Sequence, residues 1–287
     1  MRTTLGRTLG GLVASAAVTA LAAGAASGTF SMDGATFKVV DAFAYERKAE
    51  FGDETAIRVR LSDKALDRKA LDAVLDLKGE LDRQRDQGGS GKYVDLEFAK
   101  DGSYSGTSYS LGGRSNCGWC GDSRVAAKSS VKVEGGSLRG SMQIRPADYG
   151  DGKGPAISLT LDGPIATVGG ASPLPTSGGE PAKDLEACRQ AVKKKETAAV
   201  KAACFLPGDP QLAETANVTE EGFWMVALYG RDSLKLATLR VTGGRTKGDW
   251  AELLVEGGRE EGARKGSVFL RHGPSGWRFD HESLSYD

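Results

Sequence analysis

Cys117-Gly118-Trp119-Cys120 is the spacing in this chain with the greatest capacity for chemistry. Two thiols held this close can cycle as a redox dithiol, provided a helix N-terminus depresses the pKa of one of them. They can also supply half of a zinc site. The flanking residues argue against both: a strand-like stretch and a Gly-rich turn precede the pair, and no helical pattern follows Cys120. Cys188 and Cys204 stand far along the chain, so a second close Cys/His pair is missing and no metal site is expected. A short loop rich in Gly and Asn can instead close on itself as a Cys117–Cys120 disulfide. Cys188 and Cys204 flank a stretch that reads as a helical hairpin, whose ends their bond would staple.

The acids, imidazoles and hydroxyls yield no reaction by pattern. Only two histidines occur, His272 in Arg271-His272-Gly273-Pro274 and His281 near the end of the chain. Both read as turn or surface groups, with His281 directed inward or outward according to strand register. Asp249 and Asp280 could form a general acid–base pair. However, Asp249 follows a glycine in a turn, and Asp280 alternates with Phe279 and points outward. Ser129-Ser130-Val131-Lys132 has Ser-x-x-Lys spacing but enters a strand, and no Gly-x-Ser-x-Gly elbow occurs. Asp148-Tyr149-Gly150-Asp151-Gly152-Lys153-Gly154 offers too few oxygens for calcium and reads as a surface turn. Asn217-Val218-Thr219 is a glycosylation sequon that matters only in a eukaryotic host. Lys193-Lys194-Lys195 with Lys201 makes a basic helical face, solvated or meeting an acidic partner. No catalytic residue, cofactor or metal ligand is assigned.

At the N-terminus, residues 1–26 carry Arg2 and Arg7, an apolar run from Leu9 to Ala23, and then the small residues Gly24, Ala25 and Ala26 before Ser27. This is the order of a secretory signal peptide cleaved after Ala25 or Ala26, its apolar run too short and Gly/Ala-rich for a durable membrane span. The high Ala, Gly and Arg content points to a bacterial protein, periplasmic or extracellular. In such surroundings the four cysteines read as two disulfides. Lys+Arg and Asp+Glu balance at 38 each, so no global field draws nucleic acid or an anionic membrane. No later apolar stretch approaches the ~20 residues of a spanning helix, and no Cys follows the apolar run to take a lipid.

The elements that must position these groups fall into two halves. Residues 28–168 read as strands with period-two alternation: Thr36 to Tyr45, Ala56 to Leu61, Tyr93 to Phe98, Ser103 to Leu111, Val131 and Val133 with Leu138 to Ile144, and Ile157 to Leu161. In the second of these, Ile57, Val59 and Leu61 share a face opposite Arg58 and Arg60. One helix is expected from Leu66 to about Arg85, capped by Asp63 or Asp67, with Leu66, Ala70, Val74, Leu77 and Leu81 as its apolar stripe and the opposite face, including Asp67, Asp72, Glu80, Arg83 and Arg85, solvated. A mainly-β sandwich or open barrel with one inserted helix follows. Residues 169–182, rich in Gly, Pro and Ser, read as a linker. Residues 183–287 begin with helices, Ala182 to about Glu196 and Thr197 to Phe205, and continue with strands Phe223 to Tyr229, Leu234 to Val241, Trp250 to Val255, Gly266 to Arg271 and Trp277 to Ser283. This order implies a second, α+β domain.

Helical Leu185 to Cys204, the run from Gly248 to Val255, Lys265 to Arg271, and Ser275-Gly276-Trp277-Arg278-Phe279-Asp280 together resemble the small secreted branch of the nuclear transport factor 2-like superfamily. The resemblance implies an α+β cone with a curved antiparallel sheet closed by a Trp-bearing strand around the helices, with a pocket inside. That superfamily includes ketosteroid-isomerase-like enzymes as well as non-catalytic modules. The sequence expectation is a non-catalytic envelope protein that binds a small-molecule ligand or another protein. The alternatives are an enzyme with its site in the C-terminal cone, or a thiol-disulfide protein using Cys117 and Cys120.

Overall fold

The computed structural model describes residues 26–32, 34–48, 55–87, 92–111, 114–117, 123–150, 152, 154–215, 218–259 and 262–286. Residues 1–25, with most of the signal-peptide expectation, Cys120, the side chain of Cys117, Asp151 and Asn217 lie outside the described residues.

The chain is mostly strand. It runs through β1 (Ala26–Met32), β2 (Ala35–Val39), β3 (Asp41–Lys48) and β4 (Thr55–Ser62) to helices α1 (Arg68–Ala73) and α2 (Leu77–Gln87). Next come β5 (Tyr93–Phe98), β6 (Tyr104–Leu111), β7 (Arg114–Cys117), the short helix α3 (Ser123–Ala126), β8 (Lys132–Glu134), β9 (Ser137–Ile144) and β10 (Ala156–Ala166). β10 is the branch point: it pairs antiparallel with β1 and β9, and its last residues pair parallel with β3. The strands therefore form a curled half-barrel of β1, β2, β8, β9 and β10 joined to a second sheet, β3 to β7. One apolar core fills the space between them, with Phe30 of β1 reaching Tyr109 of β6 at 5.4 Å between ring centroids.

Local chemistry sets the turns. Between β5 and β6, Asp101 accepts the Ser103 N–H at 2.8 Å, and Gly102 takes φ +89°, a conformation disfavoured for L residues. A Cβ at Gly102 would also lie 2.7 Å from the Val131 carbonyl oxygen, so glycine is required twice over.

The expected single helix from Leu66 to Arg85 is two helices. Asp67 caps α1 by accepting Ala70 N–H at 3.0 Å, and the chain leaves the helix at Val74. Asp76 then starts α2, its carboxylate accepting the Gly79 N–H. The apolar stripe continues across the break, with Leu71, Val74, Leu77 and Leu81 all buried against Phe43 and Tyr45 of β3. That continuity hid the second cap. Thr36 to Tyr45 likewise divides, because β2 and β3 lie in different sheets and separate at Val40.

The remainder comprises β11 (Ser172–Pro173), α4 (Gly179–Lys194), α5 (Thr197–Cys204), α6 (Pro210–Glu214), α7 (Glu220–Leu228), β12 (Thr238–Lys247), β13 (Trp250–Arg259), β14 (Gly262–Gly273) and β15 (Gly276–Tyr286). β11 to β15 form one antiparallel meander, and the helices pack on it through a second core containing Leu185, Phe205, Phe223, Leu253 and Phe279. Phe223 to Tyr229, expected as a strand, is helix α7. Thr219 caps it by accepting Gly222 N–H at 3.2 Å, two glutamates occupy its first turn, and Phe223 and Ala227 are buried one helical turn apart. Leu234 falls in a single 3-10 turn before β12 begins at Thr238, so that strand starts later than its apolar residues suggest. Residues 169–182 do more than connect, since β11 pairs with β12 and the helix begins at Gly179.

Candidate functional site

In β4, Arg58 and Arg60 do stand opposite Ile57, Val59 and Leu61, yet they are buried, only 6 and 3 % exposed. Helices α1 and α2 lie over the second face of the β3–β7 sheet and convert its polar side into an interior layer. Strand register brings Arg58 opposite Glu97 and Arg60 opposite Asp95. Arg58 donates to Glu97 at 2.9 Å. Arg60 engages Asp95 through both Nε and Nη2, and its Nη2 also donates to Asp82 of α2 at 2.9 Å. Lys78 holds the other Asp82 oxygen at 2.9 Å. Burial disfavours the Asp82 charge, but Arg60 and Lys78 outweigh it and hold the carboxyl below its ordinary range. Asp41 performs a similar task at the sheet edge, accepting Leu66 N–H at 2.9 Å and pairing with Arg68.

Tyr45 lies within this layer. Burial, and secondarily Asp95, push its phenol pKa well above the ordinary value, so it is neutral. Its hydroxyl and Arg60 Nη1 have no hydrogen-bond partner among the described residues. The layer is thus a fixed electrostatic support: charges cross-paired between strand and helix in low dielectric hold the helical pair in one position on the sheet.

At the end of this layer β4, the segment entering α1, α2 and the start of β5 enclose a pocket of about 220 Å³. Leu61, Leu66, Leu81 and Tyr93 supply its apolar part, while Lys64, Arg85 and Lys92 oppose Asp63 and Asp67. The guanidinium groups of Arg60 and Arg85 lie over the Tyr93 ring, 4.8 and 5.1 Å from its centroid. Gln84 fixes one wall by donating to Asp67 O at 3.1 Å and accepting from Asp67 N at 2.9 Å. Comparison of the chain with protein-family models, curated proteins and solved structures finds no match.

Among the groups singled out in the sequence, His281 departs furthest from expectation. It is a half-buried residue of β15 and donates between Asp76 and Asp280, at 2.6 Å from Nε2 and 2.6 Å from Nδ1. Its ring stacks on Phe269 with centroids 4.5 Å apart, and the edge of Trp250 is 6.3 Å away. Burial opposes its charge, but the hydrogen bonds and charges of Asp280 and Asp76 outweigh it and raise the pKa from 6.5 to about 9. Asp280 was expected to point outward by alternation. A register shift between β14 and β15 leaves it as the extra residue of a bulge, so its carboxylate and the adjacent imidazole meet. With both ring nitrogens donating to carboxylates, this imidazolium is a clamp and has no free nitrogen for base catalysis. The clamp joins the α1–α2 turn to the C-terminal meander, and Trp250 packs against the same Leu71/Phe43 cluster.

The structure does not bring the other candidates into a site. Asp249 lies in its turn, 3.4 Å from Arg271. His272 meets the edge of Trp277. Ser130 bonds to Ser141 across the strands while Lys132 is exposed. Asp148 accepts Arg145 N–H at 2.7 Å. Lys193, Lys194 and Lys195 are exposed, and Lys201 lies 5.2 Å from the Phe223 ring centroid. Cys188 and Cys204 are joined by a disulfide between α4 and α5, with Cα atoms 5.0 Å apart. The Cys117–Cys120 pairing lies outside the described residues.

Sequence reasoning missed the whole charged layer. Its signal was present: Arg58 and Arg60 alternate along one strand, and Asp95 and Glu97 repeat the same offset with opposite sign along another.

Proposed function

We propose that this chain is an exported, two-domain binding protein of the bacterial envelope whose ligand site is the pocket between β4, α1–α2 and β5. The observation that carries the reading is the pocket's construction. Apolar residues are gathered under a few polar groups, and the walls are held by Asp67, Gln84 and the buried Arg60–Asp95–Asp82 network. Export is supported by the Arg-then-apolar-then-small order of residues 1–26 and by the Cys188–Cys204 disulfide, a bond of oxidising compartments. The two-domain reading is supported by the separate cores of the half-barrel and the meander.

A cone of the nuclear transport factor 2-like kind is the proposed origin of residues 183–287, supported by helices packed on one face of a meander that ends in the Trp277 strand. The enzyme alternative needs a cavity between helices and meander, where Leu185, Phe205, Phe223, Leu253, Val268 and Phe279 pack together among the described residues.

Ligand-observed NMR of the mature protein with a small-fragment library tests the assignment. Fragments should lose their signal change in a Leu66→Trp variant that fills the pocket while melting as a folded protein. Binding that persists in that variant would place the site elsewhere. N-terminal sequencing after expression in an exporting bacterium should read from Ala26 or Ser27, whereas a retained Met1 would refute export by cleavage.

A further inference from the structure

Resting on that pocket, we infer that its ligand is a small organic anion: an apolar body carrying one carboxylate-type group that pairs with Arg85. Arg85 is about three-quarters buried and placed by its contacts. Its Nε donates to Asp86 at 2.7 Å, its Nη1 is 3.4 Å from Asp82, and its plane lies over Tyr93. Its Nη2 makes no hydrogen bond among the described residues, and Arg85 is one of the residues that line the pocket. A guanidinium with an uncommitted Nη2 can pair with a planar oxyanion through charge-assisted hydrogen bonds.

The other lining residues decide the rest of the ligand. Arg60 is committed to Asp95 and Asp82, so it stiffens Tyr93 and does not compete for the anion. Lys64 and Lys92 add positive charge beside Arg85, while one of the two opposing carboxylates, Asp67, is occupied as the α1 cap. A cationic ligand would meet the like charge of Arg85 there. The floor of Leu61, Leu66, Leu81 and Tyr93 demands an apolar body, which inorganic phosphate lacks. The volume of about 220 Å³ is below that of sites for drug-sized ligands and matches a single substituted ring.

Titrations of the mature protein with benzoate, benzamide, benzylamine and inorganic phosphate, followed by ligand-observed NMR, separate the possibilities. Benzoate should bind about tenfold more tightly than the other three, and Arg85→Gln should remove that advantage while leaving benzamide unchanged. Equal binding of benzamide or benzylamine, or benzoate binding unaffected by Arg85→Gln, would overturn the anionic class and leave the pocket standing. Phosphate matching benzoate would overturn the apolar body. If none of the four bound to a protein that melts as folded, both the inference and the pocket assignment would fall.

Discussion

Replacing His281 by Gln should remove a pH-dependent part of the protein's stability. The folded-state pKa of His281 lies near 9, above its ordinary 6.5. The folded protein therefore holds this proton more tightly than the unfolded chain. The stabilisation is fully present below about pH 6.5 and is lost as pH rises through about 9. Moving the pKa that far corresponds to about 3 kcal/mol. A third of the imidazole is exposed, so solvent screening reduces the expected contribution to about 1–2 kcal/mol. For a protein of this size that is about 2–6 °C in melting temperature. Gln also removes the stacking on Phe269, but that loss is the same at every pH, so the difference between two pH values isolates the charge. Melting curves of both proteins at pH 6 and pH 9.5 give the measurement: the gap between wild type and variant should be wide at pH 6 and should narrow at pH 9.5. With only two histidines in the chain, an NMR titration can also follow the His281 ring directly. An unchanged gap, or a His281 midpoint near 6.5, would refute the clamp.

Tyr45→Phe should stabilise the protein by about 1 kcal/mol in chemical denaturation, because it deletes a buried hydroxyl that has no partner among the described residues while keeping the ring packed on the helical pair. A loss of stability there would mean that the hydroxyl is satisfied. Cys188→Ala/Cys204→Ala should cost about 3 kcal/mol, since the disulfide closes a loop with a sequence separation of 16. A double variant that melts with the wild type would exclude that role.

The strands of the first half of the chain were largely readable in the sequence because period-two alternation survives wherever one face is apolar, as in Ile57, Val59 and Leu61. The same rule misassigned the opposite face. Arg58 and Arg60 look like solvent residues, and only the docking of α1 and α2 makes them interior. Helix breaks and bulges failed for a related reason: both are single-residue events inside a continuous pattern. Asp76 interrupts a Leu-rich stripe without changing its period, and Asp280 reverses the facing of one strand position. Helix α7 was hidden by Phe223, Trp224 and Val226, whose strand propensity is overridden by the Thr219 cap and the acidic first turn. Of the candidate pocket, Leu66 and Leu81 were legible as a helical stripe. Arg85 belonged to a face expected to be solvated, and it became a pocket residue because β5 brings Tyr93 beneath it.

Helix α2 connects these features. One side places Leu77 and Leu81 on the β3 aromatics, its Asp82 closes the buried Arg60 network, and its Arg85 lines the pocket. Its first turn is held by Asp76, the same carboxylate that accepts from His281 of the C-terminal meander. Asp76 thus has two tasks, helix cap and partner of the imidazolium, and each sustains the other. The Gly79 N–H and the His281 charge both favour its ionised form against a burial cost that would otherwise raise its pKa. Gly79 suits this arrangement: a Cβ there would approach Asp76 Oδ2 to 2.4 Å and His281 Nε2 to 3.5 Å. A side chain at position 79 would therefore strain the cap and the clamp together, and both would loosen the start of the helix whose last turns form the pocket wall.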